Sequence, residues 1–87
     1  MPKTYNLAAA KRAAAKIGVV VRPSTRKNKK LDVFSKEGKL LASIGDIRYE
    51  DFTVHKDPER RRRFKQRFER SRHVRGSASY YADKILW

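Results

Sequence analysis

The chain contains no cysteine, which excludes disulfides, a thiolate-bound zinc and a cysteine nucleophile from so short a fold. It carries no acidic residue before Asp32, although nine basic residues precede that position. The longest apolar run, from about Ile17 to Val21, falls far short of the roughly 18 to 20 residues a membrane span requires. The paired glycines and Gly-Lys-Ser/Thr sequence of a phosphate-binding P-loop are missing as well. The two histidines, His55 and His73, stand alone, without a partner at metal-ligand spacing. Asp46, Glu50 and Asp51 form the densest acidic group, but Asp46 follows Gly45 as a turn residue does, and Asp51 reads as a partner for nearby arginines. No ligand set for a metal-dependent nuclease is evident, and neither a cofactor nor a small-molecule substrate is expected. With 87 residues, and nine alanines among its apolar side chains, the chain supports one domain with a small core and no deep cavity.

Positive charge is abundant. Lys and Arg number 23 against nine Asp and Glu, a formal net charge of +14. The first nine cations, Lys3 to Lys30, face no local counter-charge, and a second cluster between Glu59 and Arg72 is offset only by Glu59 and Glu69. Most acidic residues lie between the two clusters, so basic ends flank a balanced middle. Repulsion among that many cations opposes the compact state, whereas phosphate neutralisation relieves it and releases counterions. A polyanionic partner follows from that asymmetry.

Hydrophobic spacing then places the elements. Residues 1–17 are alanine-rich and helix-prone, with Gly18 as a stop, but large apolar anchors are limited to Tyr5, Leu7 and Ile17. This segment reads as a basic helix or as an arm that orders on a partner, and residues 18–87 as a single small domain. Val19 to Val21 open a strand that Pro23 ends or pushes to an edge. Leu31 to Ser35 and Lys39 to Ile44 form a hairpin around Lys36-Glu37-Gly38, and Ile47 to Phe52 alternate as a short strand or extended crossing. Asp57-Pro58 caps and opens a helix to about Ser71 that presents Phe64 and Phe68 on one face. Ser79 is positioned to cap a last helix, Tyr80 to Leu86, where Tyr80, Tyr81 and Trp87 suit core packing better than an exposed stacking surface. The expected fold is α+β, an antiparallel sheet of about three strands packed with an arginine-rich helix and a short C-terminal helix.

Three segments carry the candidate nucleic-acid contacts. Ser24, Thr25, Arg26, Lys27, Lys29 and Lys30 sit in a polar loop whose hydroxyls, amides and cations match phosphate oxygens. Arg60, Arg61, Arg63, Arg67 and Arg70 lie along the basic helix, where the run Arg60 to Arg63 covers the whole circumference of one turn, so that no more than half of that run faces one surface at once. Lys11, Arg12 and Lys16 extend the set on the N-terminal segment. Nothing marks residues that would read base edges, so the expected contacts position a backbone and select no sequence.

The run Pro23 to Phe34, the run Ser43 to Asp51, the arginine helix and the closing Gly76 to Trp87 together resemble a family of short basic proteins encoded by nucleocytoplasmic large DNA viruses of the chlorella-virus and mimivirus type. The likeness covers about residues 19–87, and the Tyr-Tyr-Ala-Asp-Lys-x-Leu-Trp element is its most distinctive part. Two departures stand out: only Phe52 to Asp57 connect the Tyr-x-Asp element to the basic helix, where the family has a longer segment, and an Arg-His pair in that helix is Arg67-Phe68 here. The resemblance implies a viral setting without an assigned activity, hence a location in the virion and, during infection, in the host nucleus or a cytoplasmic virus factory. Charge and resemblance together lead to a non-enzymatic virion-associated protein that binds nucleic acid, taken as duplex DNA, through its phosphates. The alternative is a minor capsid or cement protein whose cations meet acidic surfaces of other capsid proteins, with the Tyr-Trp end as an interface anchor.

Overall fold

Asn6 opens the first helix, α1 (Leu7–Lys16), by accepting the Ala9 amide on its side-chain oxygen at 3.1 Å. The computed structural model describes residues 5–87, so the first four positions of the expected N-terminal segment lie outside the described residues. Ala10 and Ala14, one helical turn apart, are both 0% exposed. Their small side chains let the helix backbone approach its neighbours, and α1 packs on the first strand, β1 (Val20–Pro23), and the last helix, α4 (Ala78–Ile85). The described part of this segment is therefore a helix packed on the body of the fold. The Asn6 amide also donates to the Thr53 hydroxyl at 2.9 Å, tying the helix start to a distant part of the chain.

The fold is α+β, with the three strands antiparallel in the order β1, β2 (Lys29–Phe34) and β3 (Leu40–Asp46). Val21 pairs with Val33, Val33 with Ala42 and Leu31 with Ile44, so branched apolar side chains line up across the strands. Val21, Leu31, Val33 and Ile44 form the core together with Ala10, Ala14, Tyr81, Ile85 and Leu86. Pro23 is tolerated because β1 is an edge strand. Leu41 is an extra residue on β3, since Val33 pairs with Ala42 but Phe34 with Leu40, and it packs half-buried on the core.

Several boundaries differ from those read in the sequence. β2 begins at Lys29, so Lys29 and Lys30 are strand residues and not loop residues. The alternation at 47–52 does not become a strand: Asp46 accepts the Arg48 amide at 3.0 Å and the Tyr49 amide reaches the Asp46 carbonyl at 3.1 Å, closing a turn. Asp51 then caps a single helical turn, α2 (Phe52–His55), through the Thr53 amide. The basic helix, α3 (Pro58–Arg67), starts on Asp57 and Pro58 but stops four residues before Ser71, followed by a tight turn at Ser71–His73. Ser77, not Ser79, caps α4, accepting the Tyr80 amide at 3.1 Å. From α4 the buried Asp83 carboxylate meets Lys65 of α3 at 2.6 Å and Arg72 of the tight turn at 3.6 Å, joining the helices on either side of that turn.

Candidate nucleic-acid interface

Most of the nine acidic residues are engaged within the fold. Asp32, Asp51 and Asp83 are buried. Asp46 pairs with Arg48 at 2.7 Å, Glu59 with Arg62 at 2.7 Å and Glu69 with Arg72 at 2.8 Å and His73 at 2.9 Å, while Asp57 caps α3. The bidentate Arg48 guanidinium, with the Arg48 amide, holds the Asp46 carboxyl at a pKa of about 2. His73 and Arg72 likewise hold Glu69 below the ordinary carboxylate value. Among the described residues only the carboxylates of Glu37 and Glu50 make neither a hydrogen bond nor an ion pair, and Glu50 acts on His55 through its charge alone. The consequence is a surface from which counter-charge has been withdrawn. Lys11, Arg12, Lys16, Arg26, Lys27, Lys29, Arg60, Arg67 and Arg70 are all exposed and make no ion pair among the described residues.

The 24–30 segment divides. Thr25, Arg26, Lys27 and Lys29 are exposed, and Asn28 adopts a left-handed conformation at φ 66° that turns the loop back toward β2. The Ser24 hydroxyl donates to Asp32 at 2.6 Å and accepts the Arg26 amide at 3.0 Å, so it shapes the loop instead of presenting itself to a phosphate. Burial works against ionisation of Asp32, but the Ser24 and Ser43 hydroxyls, the Thr25 amide and the charge of Arg26 outweigh it and hold the carboxyl below its usual value. Lys30 leaves the candidate set altogether. Its ammonium donates to Asp51 at 2.9 Å with both side chains about 98% buried, a position the polar, basic neighbourhood in the sequence did not disclose. Asp51 is thereby the partner of a lysine and not of the arginines.

Helix α3 has two unlike sides. Arg60, Arg63 and Arg67 recur at i, i+3 and i+7 and border one shallow groove beside Phe64, Phe68 and Trp87. The aromatic floor is rigid: Phe64 and Trp87 stack with centroids 4.7 Å apart and planes 6° from parallel, and Phe68 lies 4.8 Å from Phe64. Arg61 points elsewhere. It donates to the Trp87 carbonyl at 2.7 Å and lies 4.8 Å over the Phe52 ring, so it fastens the C-terminal residue to the body. Arg62 and Lys65 are tied to Glu59 and Asp83. Arg70 follows the helix end and is exposed.

Tertiary folding brings Lys29 to Arg67. Both border a cleft of about 380 Å³ between the end of β3 with its following turn and the facing parts of α3 and α4. The loop and the arginine row therefore meet at one place. Lys11, Arg12 and Lys16 ride on the outer side of α1 and border neither this cleft nor the arginine groove. Tyr49 also lines the cleft and is 62% exposed. The alternating pattern places it on a short strand or extended crossing, not at a ligand; the Gly45-Asp46 pair just before it is the sequence signal for a turn that projects an aromatic ring.

His55 is held neutral. Its Nδ1 accepts the Asp57 amide at 2.9 Å, its Nε2 is buried without a partner among the described residues, and its ring lies 5.2 Å from Trp87. Burial, then the charge of Arg60, pushes its pKa below the ordinary histidine value. Among the described residues, no three His, Asp or Glu side chains converge to hold a metal ion, and no helix is long and apolar enough to cross a membrane.

Residues 19–68, more than half of the chain, match a family of unknown function, DUF5754. The chain belongs to that family. The matched region runs from the start of the sheet through the arginine row of α3, and so contains Lys29, Tyr49 and Arg67 together. No curated protein and no solved structure matches this DUF5754 chain.

Proposed function

We propose that this DUF5754 protein is a non-enzymatic, virion-associated protein that binds nucleic acid, duplex DNA in the first place, through the phosphate backbone. The observation that carries the reading is the internal use of acidic groups. Buried or paired carboxylates leave Arg26, Lys27 and Lys29, Arg60 and Arg67, and the cations on the outer side of α1 without an ion pair among the described residues, while Arg63 between Arg60 and Arg67 keeps only a 3.8 Å contact with the half-exposed Glu59. Such cations gain most from phosphates, which replace mutual repulsion by attraction and release condensed counterions. The contacts lie on side chains that reach a backbone without reading base edges, so affinity depends little on sequence. The viral setting, in the virion and in the host nucleus or virus factory, belongs to the same proposal and rests on the resemblance described above.

Fluorescence anisotropy with a random duplex, titrated between about 50 and 200 mM salt, tests it. Several phosphate contacts produce a log-log slope of about −0.9 each and a loss of orders of magnitude in affinity over that range. Absence of binding at the low end overturns the reading and transfers the charge to the alternative, a capsid or cement role against acidic protein surfaces. The Tyr-Trp end gives that alternative little support: Tyr81 is buried and Trp87 is stacked on Phe64 within the fold.

A further inference from the structure

The cleft shared by Lys29 and Arg67 has a composition that plain backbone binding does not require. Tyr49 lines it from a turn fixed from both sides, by the bonds of Asp46 to residues 48 and 49 and by the Ile47 amide donating to the Asn28 carbonyl at 3.0 Å. Arg48 lies 5.8 Å from the centre of the Tyr49 ring, and the ring remains 62% exposed. Phe64, Phe68 and Trp87 line the cleft as well, contributed by α3, its C-terminal cap and the C-terminal residue. The two cations, Lys29 and Arg67, are exposed and make no ion pair among the described residues. Glu50, which also borders the cleft, keeps its carboxylate without a partner there.

A phosphate fits the cations but is repelled by Glu50. A nucleobase fits the rest: its π-face suits the Tyr49 ring, and its exocyclic amino group suits a carboxylate, which can only accept. The volume of about 380 Å³ lies at the lower end of the range of ligand pockets, on the scale of one nucleotide and not of a helix. From this arrangement we infer that the cleft takes a single unpaired base of a nucleic-acid strand, stacked on Tyr49, with the flanking phosphates on Lys29 and Arg67. The assignment rests on the proposed phosphate binding and adds to it a ligand class, strands with unpaired bases.

The test compares the full-length protein with Tyr49→Ala and Tyr49→Phe on a single strand of about a dozen nucleotides, cytosine-containing, and on a duplex of the same length. Because Tyr49 is mostly exposed, neither substitution disturbs the core. Tyr49→Ala is expected to weaken single-strand binding roughly 5- to 150-fold while leaving duplex affinity and both salt slopes unchanged, and Tyr49→Phe to retain single-strand binding. Glu50→Gln, which keeps an acceptor but loses the charge, is expected to alter the preference for cytosine over thymine. Duplex and single strand bound with equal, Tyr49-independent affinity would overturn the cleft assignment alone and leave the cleft to a protein side chain. Failure of both nucleic acids to bind at low salt would overturn the phosphate reading and the cleft assignment together.

Discussion

Replacing Lys30 by Met removes one charge from a site that holds two and leaves the other stranded. The Asp51 carboxylate, about 1% exposed, would keep only the Thr53 amide and hydroxyl as donors. Removing one partner of a buried, hydrogen-bonded pair costs about 3–5 kcal/mol. A domain of this length has about 4–13 kcal/mol of total stability, so the loss is a large part of the whole. Met preserves most of the lysine stem that lies against Gly45, which keeps cavity formation out of the comparison. At 4–8 °C per kcal/mol for domains of this size, the melting temperature should fall by at least about 12 °C. Trp87, the sole tryptophan and stacked on Phe64, reports the transition by fluorescence. The double variant Lys30→Met, Asp51→Asn removes both charges and keeps a competent cap on α2, so it should recover at least about half of the loss. At a temperature where Lys30→Met is folded, its DNA salt slope should equal that of the parent protein, because an enclosed ammonium neutralises no phosphate. A melting temperature for Lys30→Met within about 2 °C of the parent, or a double variant no more stable than the single one, would refute the reasoning.

The surface and the core yield further tests. Arg60→Ala, Arg63→Ala and Arg67→Ala should each reduce the magnitude of the duplex salt slope by about 0.9, whereas Arg61→Ala should instead lower the melting temperature, by about 1–2 kcal/mol of stability, through loss of the Trp87 carbonyl bond and the Phe52 contact. Gly45→Ala should destabilise by about 1–3 kcal/mol in a thermal melt, since φ is +77° and the new Cβ would lie 2.8 Å from Cδ of the buried Lys30 and 3.0 Å from Cδ1 of the core residue Leu86. For His55, the unfolded chain takes up a proton near pH 6.5 and the folded chain only at lower pH, so stability is full above that value and declines as the pH falls from about 7 to 5. The groups facing it are Arg60 and Asp57 around the start of α3, Glu50 and Asp51 before α2, and the Phe52 and Trp87 rings. His55→Asn, whose side-chain oxygen can still accept the Asp57 amide, should flatten that decline in urea titrations; equal pH slopes for the two proteins would show that His55 does not titrate against the fold.

Local chemistry made much of this protein legible in advance. The hairpin, the edge position of Pro23, the Asp57-Pro58 helix start and the aromatic spacing of Phe64 and Phe68 depend on neighbours within a few residues, and each is present in the fold. The net charge of +14 and its concentration away from the middle of the chain are properties of composition that folding cannot alter. Which cations remain available is a different matter, because it depends on partners far apart in sequence. Lys30 and Asp51 are 21 residues apart, Arg61 and Trp87 26 apart, and Lys65 and Asp83 18 apart. Tertiary packing removed Lys30 from the surface, turned Arg61 toward the C-terminal residue, and put Lys29, Tyr49 and Arg67 on the lining of one cleft. It also docked α1 through two alanines, whose value lies in how closely they let a backbone approach and not in how much apolar surface they bury. Composition and short-range pattern therefore determined the kind of elements and the sign of the field, while the choice between a cation that holds the fold and one that meets a ligand was made by long-range contacts, which a linear pattern does not encode.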